Sequence, residues 1–124
     1  MKFYKCMHCG QIIAVLKETG VPVVCCGDNM VELVPGTSDG ALEKHVPQFV
    51  IDGKNVTVTV GEVEHPMIDA HYIEWVIVET TKGFQQKNLK PGEKPSAKFT
   101  LSDDEEFVAV YELCNLHGLW KNQK

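Results

Sequence analysis

Cys6, Cys9, Cys25 and Cys26 fall within the first 34 residues, and no other feature constrains the chain as strongly. A segment that short cannot bury enough apolar surface to fold alone; it needs a metal, a disulfide or a partner chain. The Cys6-x2-Cys9 spacing brings two sulfurs to one side of a tight turn, which suits a tetrahedral cation. Four thiolates select zinc or iron. The adjacent pair Cys25-Cys26 is unusual, because neighbours in an extended chain point to opposite faces. Two ligands from such a pair distort a tetrahedron, which is tolerable for a redox iron and odd for a structural zinc. A strained vicinal disulfide and four buried thiols are the alternatives; neither staples the segment as a metal does. His8, inside the Cys-x2-Cys loop, is expected to face solvent and not to bind the ion.

Beyond this segment, "VPGTSDG" at residues 34–40 reads as a linker. The chain then turns to a β pattern. "FVIDGKNVTVTVG" holds two apolar runs joined by Asp52-Gly53, a hairpin signal, and Val56, Val58 and Val60 alternate with Thr57 and Thr59. "HYIEWVIVET", "SAKFTLS" and "EFVAVYELC" read as further strands, and "LKPGEKPS" and "SDDEE" as turns. No helix stands out. The reading is a mainly β chain: a small metal domain over residues 1–36, then an antiparallel sandwich or barrel over 37–124. Trp75, Phe107, Val108, Val110, Tyr111 and Trp120 are assigned to strands and core packing.

Charge removes one class of function. The net charge is −5 and every basic residue is lysine, which argues against a nucleic-acid binder. A small anion would have to be attracted by a local lysine. "MKFYKCMHCG" lacks the apolar run of a signal peptide, and no stretch is apolar enough to span a membrane. The expected compartment is the cytoplasm, where five cysteines point to metal or redox chemistry before disulfides.

A second constellation lies in the β region. His65 precedes a proline, His71 lies six residues after His65, His45 sits in "LEKHVP", and His117 follows Cys114 across two residues. Imidazole suits iron, zinc, copper or nickel, and a thiolate shifts the preference toward redox-active ions. Four imidazoles and one thiolate exceed the four ligands of a structural zinc. Five ligands and one open octahedral position make a catalytic arrangement.

Cys-x2-Cys, Cys-Cys, "EKHVP", "HPM", His71 and "CNLHGLW", in that order, resemble the two-iron superoxide reductases, or desulfoferrodoxins, over essentially the whole chain. The resemblance implies a desulforedoxin-like iron held by Cys6, Cys9, Cys25 and Cys26. It implies a second iron on His45, His65, His71 and His117, with Cys114 axial, in an immunoglobulin-like β-sandwich. The implied reaction is one-electron reduction of superoxide to hydrogen peroxide, protecting against oxidative stress. Lys44 would draw in the anion and help deliver a proton, and Glu43 would close onto the oxidised centre. A rubredoxin-like electron donor and a homodimer are implied as well.

Two other readings stay open from the residues alone. A binding module with a zinc-ribbon-like N-terminus explains the first four cysteines and leaves the histidines a coincidence. A pure electron carrier explains both clusters but needs no open position.

Overall fold

Val56, Val58 and Val60 are fully buried and Thr59 is exposed, so the valine–threonine alternation divides one strand between core and solvent. In the computed structural model, which describes residues 1–124, that strand is β7 (Asn55–Val60). It pairs with β6 (Pro47–Asp52) around the Asp52-Gly53 turn, with Asp52 opposite Asn55. Gly53 takes a φ of +60°, which a side chain would disfavour. The chain divides into two compact units, Met1–Val34 and Pro35–Lys124.

The smaller unit is built from very short strands. β1 (Phe3–Lys5) pairs antiparallel with β2 (Ile12–Ala14) and with β5 (Val31–Glu32). A separate two-residue pair, β3 (Val24–Cys25) and β4 (Asp28–Asn29), makes a knuckle around Cys26 and Gly27. Only Phe3, Cys6 and Met30 are buried in this unit. Met7, Leu16, Val21, Val24, Val31 and Val34 are exposed, so its apolar residues do not form a core of their own.

The larger unit is an antiparallel sandwich. β10 (Ser96–Thr100), β7 and β6 form one sheet. The other has the order β12 (Gly118–Gln123), β11 (Phe107–Cys114), β8 (Ile73–Thr80), β9 (Gly83–Asn88). Strands that are neighbours in sequence change sheet between β7 and β8, between β9 and β10, and between β10 and β11. That is the Greek-key connectivity of an immunoglobulin-like fold. The core between the sheets includes Val56, Val58, Val60, Ile73, Val76, Val78, Phe99 and Val110. Burying such side chains stabilises the fold by roughly 1.5–3 kcal/mol each.

Three local expectations need refining or correcting. The composition of residues 34–40 suggested a linker, and the two units do part between Val34 and Pro35, but the backbone N–H of Gly36 donates to Leu119 O at 2.9 Å, so the stretch after the boundary docks on β12. A one-turn helix, α1 (Leu42–His45), carries Glu43, Lys44 and His45. It is too short to show a helical period in sequence, and Pro47 stops it by forcing Val46 to an extended conformation (φ −66°, ψ 117°). His71 does not open β8; it lies two residues before the strand, in a tight turn bridged to Ile68.

Candidate metal centres

The four cysteines of the smaller unit converge. The sulfurs of Cys6, Cys9, Cys25 and Cys26 all lie within 4.8 Å of one another. All five cysteines of the chain are free thiols, so no vicinal disulfide joins Cys25 to Cys26. The adjacent pair reaches one point because Cys26 takes a left-handed φ of +52°, which breaks the alternation of an extended chain. Gly27, at φ +79°, completes the knuckle.

Backbone donors surround this cluster. The Cys9 N–H donates to Cys6 Sγ at 3.4 Å, and the N–H donors of Cys9 and His8 pull the Cys6 thiol down to about 6. The Cys6 and Cys9 sulfurs push the Cys25 thiol up to about 12. Crowded sulfurs resist full ionisation unless a cation sits among them. His8 Nε2 lies 2.6 Å from Asp28 Oδ2 on the surface, as expected for a residue outside the ligand set.

The second cluster is buried in the sandwich. Ligand atoms of His45, His65, His71 and Cys114 lie within 4.8 Å of one another. His117 joins them: its Nδ1 is 3.0 Å from His45 Nε2 and 3.8 Å from Cys114 Sγ. His45, on α1, donates from Nδ1–H to Ala41 O at 2.8 Å. His65 donates from Nδ1–H to Pro66 O at 2.7 Å. Both bonds fix the tautomer and turn the Nε2 lone pairs toward each other, 3.3 Å apart. His71 Nε2 is buried and has no hydrogen-bond partner.

Cys114 ends β11, where the register against β8 shifts between Leu113 and Cys114. A bulge of this kind re-aims a side chain. Asn115 ties the Cys114 turn to the His71 turn: its side chain accepts from Tyr72 N–H at 3.0 Å and donates to Ala70 O at 3.1 Å. Three histidines and one cysteine therefore come from four segments, held together by the sandwich.

Charge favours neutral imidazoles. Burial lowers His45 and His71, and lowers His65 to about 4. Each of these rings keeps a lone pair at neutral pH. Burial raises the Cys114 thiol, so a bound cation is what would make it a thiolate. An unpartnered buried nitrogen, two lone pairs facing each other and a buried thiol together fit a transition-metal cation such as iron. Lys44 is exposed on α1, and its charge acts on both His45 and His71. Glu43 is exposed beside it, with its carbonyl accepting from Val63 N–H at 2.9 Å.

Two side chains at the cluster were not legible as site residues. Trp120, expected as simple core packing, is buried and also stacks on His45 with ring centroids 5.0 Å apart. Its Nε1–H donates to His117 O at 3.0 Å. Glu112 lies two residues from Cys114, fully buried, and neither carboxylate oxygen has a hydrogen-bond partner. Burial holds its carboxyl well above the usual carboxylate range.

Comparison with known proteins agrees with both clusters. Residues 37–123 match the family model described as desulfoferrodoxin, and residues 1–33 match the model described as desulfoferrodoxin, N-terminal domain. A desulfoferrodoxin from Nitratidesulfovibrio vulgaris is 47% identical over 120 residues, covering 97% of this chain and 94% of that one. A desulforedoxin from Megalodesulfovibrio gigas is 55% identical over 29 residues, covering 23% of this chain and 78% of that one. The crystal structure of a superoxide reductase from Treponema pallidum superposes with a TM-score of 0.81 at 36% identity, covering 97% of this chain and 98% of that one.

Proposed function

The chain belongs to the desulfoferrodoxin family, and from that premise we propose how its two centres work. It is a superoxide reductase, an oxidoreductase whose substrate is superoxide. Two irons per chain fit its donor sets, one on four cysteines and one on four histidines and a cysteine. We assign residues 1–36 to a desulforedoxin-like iron domain and 37–124 to the catalytic domain. The observation that carries the reading is the convergence of His45, His65, His71 and Cys114, with His117 against two of them and His71 Nε2 buried without a partner.

When bound there, ferrous iron supplies one electron to superoxide, and two protons complete hydrogen peroxide. The chain does the rest. The hydrogen bonds to Ala41 O and Pro66 O hold His45 and His65 with Nε2 facing the centre. Cys114, buried among the imidazoles, would bind the iron as a thiolate and donate charge to it. Lys44 raises the local concentration of the superoxide anion on a chain of net charge −5, and relays a proton through water. Glu43, exposed beside Lys44 on α1, would supply a carboxylate ligand to the oxidised iron.

The finer assignments complete the reading. A rubredoxin-like protein returns the electron, so the chain takes part in electron transport. The exposed apolar residues of the smaller unit suit a homodimer, and the protein works in the cytoplasm. No helix is long and apolar enough to cross a membrane.

Metal analysis with stopped-flow mixing tests this. The expected result is about two irons per chain and rapid oxidation of the ferrous histidine centre by superoxide, with peroxide formed and no dioxygen evolved. A single metal per chain and no reaction with superoxide would overturn it.

A further inference from the structure

The segment expected to be a linker touches the histidine centre. A Cβ built on Gly40 would lie 3.1 Å from the Trp120 ring, 3.2 Å from His117 Cβ and 3.2 Å from His45 Cε1. Contacts that tight make the neighbour give by a few tenths of an ångström, and here the neighbours are the His45 imidazole, the Cβ that carries the His117 imidazole and the indole that stacks on His45. The next residue, Ala41, accepts the His45 Nδ1–H at 2.8 Å. The segment is held from behind: Gly36 N–H donates to Leu119 O, and the Ser38 hydroxyl lies where a Cβ on Gly118 would stand 2.6 Å away. On the other side, Trp120 stacks on His45 at an interplanar angle of 30° and donates to His117 O.

We propose that Gly36–Ala41 and Trp120 form a clamp that orients the His45 and His117 imidazoles, with Gly40 at its closest approach to them. Gly40 and Trp120 are positioning residues, because they act on the centre only through these two rings. The clamp explains why a sequence stretch of linker composition is packed against β12. It also gives Trp120 a part beyond filling core volume. Partners that hold metal-ligating histidines typically change metal affinity by about 10- to 100-fold when removed.

The inference rests on the reading that His45 and His117 bind iron, and the test separates the two. Full-length iron-loaded protein is compared with Gly40→Ala, Trp120→Phe and the control Gly53→Ala, which strains the backbone of the β6–β7 turn while its Cβ meets nothing within 4 Å. The readouts are the optical and paramagnetic resonance signals of the histidine centre and its rate of iron loss to a chelator. The four-cysteine centre of the same chain serves as internal reference. The clamp predicts a shifted histidine-centre signal and about 10-fold faster iron loss in Gly40→Ala. Trp120→Phe keeps a ring and adds no atoms, so it carries the test even if Gly40→Ala folds poorly; a smaller shift in the same direction is expected. The four-cysteine signal and the Gly53→Ala control stay as in the parent protein. Parent-like signals and iron retention in Trp120→Phe and a folded Gly40→Ala would overturn the clamp while leaving the functional reading intact. A parent protein with no iron on the histidines would overturn that reading instead.

Discussion

The two units of this chain solve opposite problems. In Met1–Val34 the strands are two or three residues long and only Phe3, Cys6 and Met30 are buried. One of those three core residues is itself a ligand, so coordination and folding are the same event there. In Pro35–Lys124 an eight-residue strand on each side of the sheet centre, β8 and β11, pairs over its length above a valine-rich core. The histidines and Cys114 are carried by α1, by turns and by the end of β11 on that scaffold, so the sandwich is expected to hold these donors together without the ion. A metal can make a fold or a fold can make a metal site, and the burial in the two units predicts one of each here.

The largest effect should come from breaking the first centre. Cys6→Ser removes a ligand and a buried core residue together, and structural metal binding is worth on the order of 10 kcal/mol. Residues 1–34 should become protease-sensitive while the sandwich keeps its thermal transition. Simultaneous loss of both would mean that the units do not fold independently.

Breaking the second centre should act the other way round. Cys114→Ala and His65→Ala should abolish superoxide reduction and the histidine-centre signal, with circular dichroism of the sandwich and the four-cysteine signal retained. Unfolding of the sandwich on loss of one ligand would show that its metal also makes its fold.

A smaller effect is expected at Glu112, the buried carboxyl without a hydrogen-bond partner. Its folded value is raised above the ordinary 4.5, so the folded chain holds a proton that the unfolded chain releases. The sign follows: its contribution to stability is full below pH 4.5 and is lost as pH rises toward the folded value. Glu112→Gln removes that dependence. It should be more stable than the parent at pH 7, by about 1–3 kcal/mol in denaturant titration, and nearly equal to it at pH 4. An advantage that does not change with pH would contradict the account.

The smallest effect belongs to Lys44, which is exposed and acts through its charge on His45 and His71. Lys44→Met should slow association with superoxide about 10-fold at low ionic strength, with the gap closing as salt is added. A rate deficit independent of salt would argue against attraction of the anion.

Much of this was legible in the sequence for physical reasons. Donor residues carry their chemistry in their identity, so the cysteine and histidine sets stood out without any geometry. Alternation marked β7, and Asp52-Gly53 marked its hairpin. Other parts were hidden. β9 reads Gly-Phe-Gln-Gln-Lys-Asn, an edge strand whose polar side chains carry no alternation, and it forms because β8 offers it a pairing partner. The turn of α1 is shorter than a detectable period. Residues 34–40 have the composition of a linker but a backbone donor that β12 accepts. Trp120 and Glu112 lie in strands β12 and β11, and only the packing shows that one touches His45 and that the other has no partner.

The central contrast is tested most directly by hydrogen exchange, resolved by segment, on the protein with and without iron. Removing iron should bring the amides of residues 1–34 to near-unfolded exchange rates while β7, β8 and β11 stay protected. Equal protection of residues 1–34 with and without iron, or loss of protection in the sandwich strands on iron removal, would contradict the account.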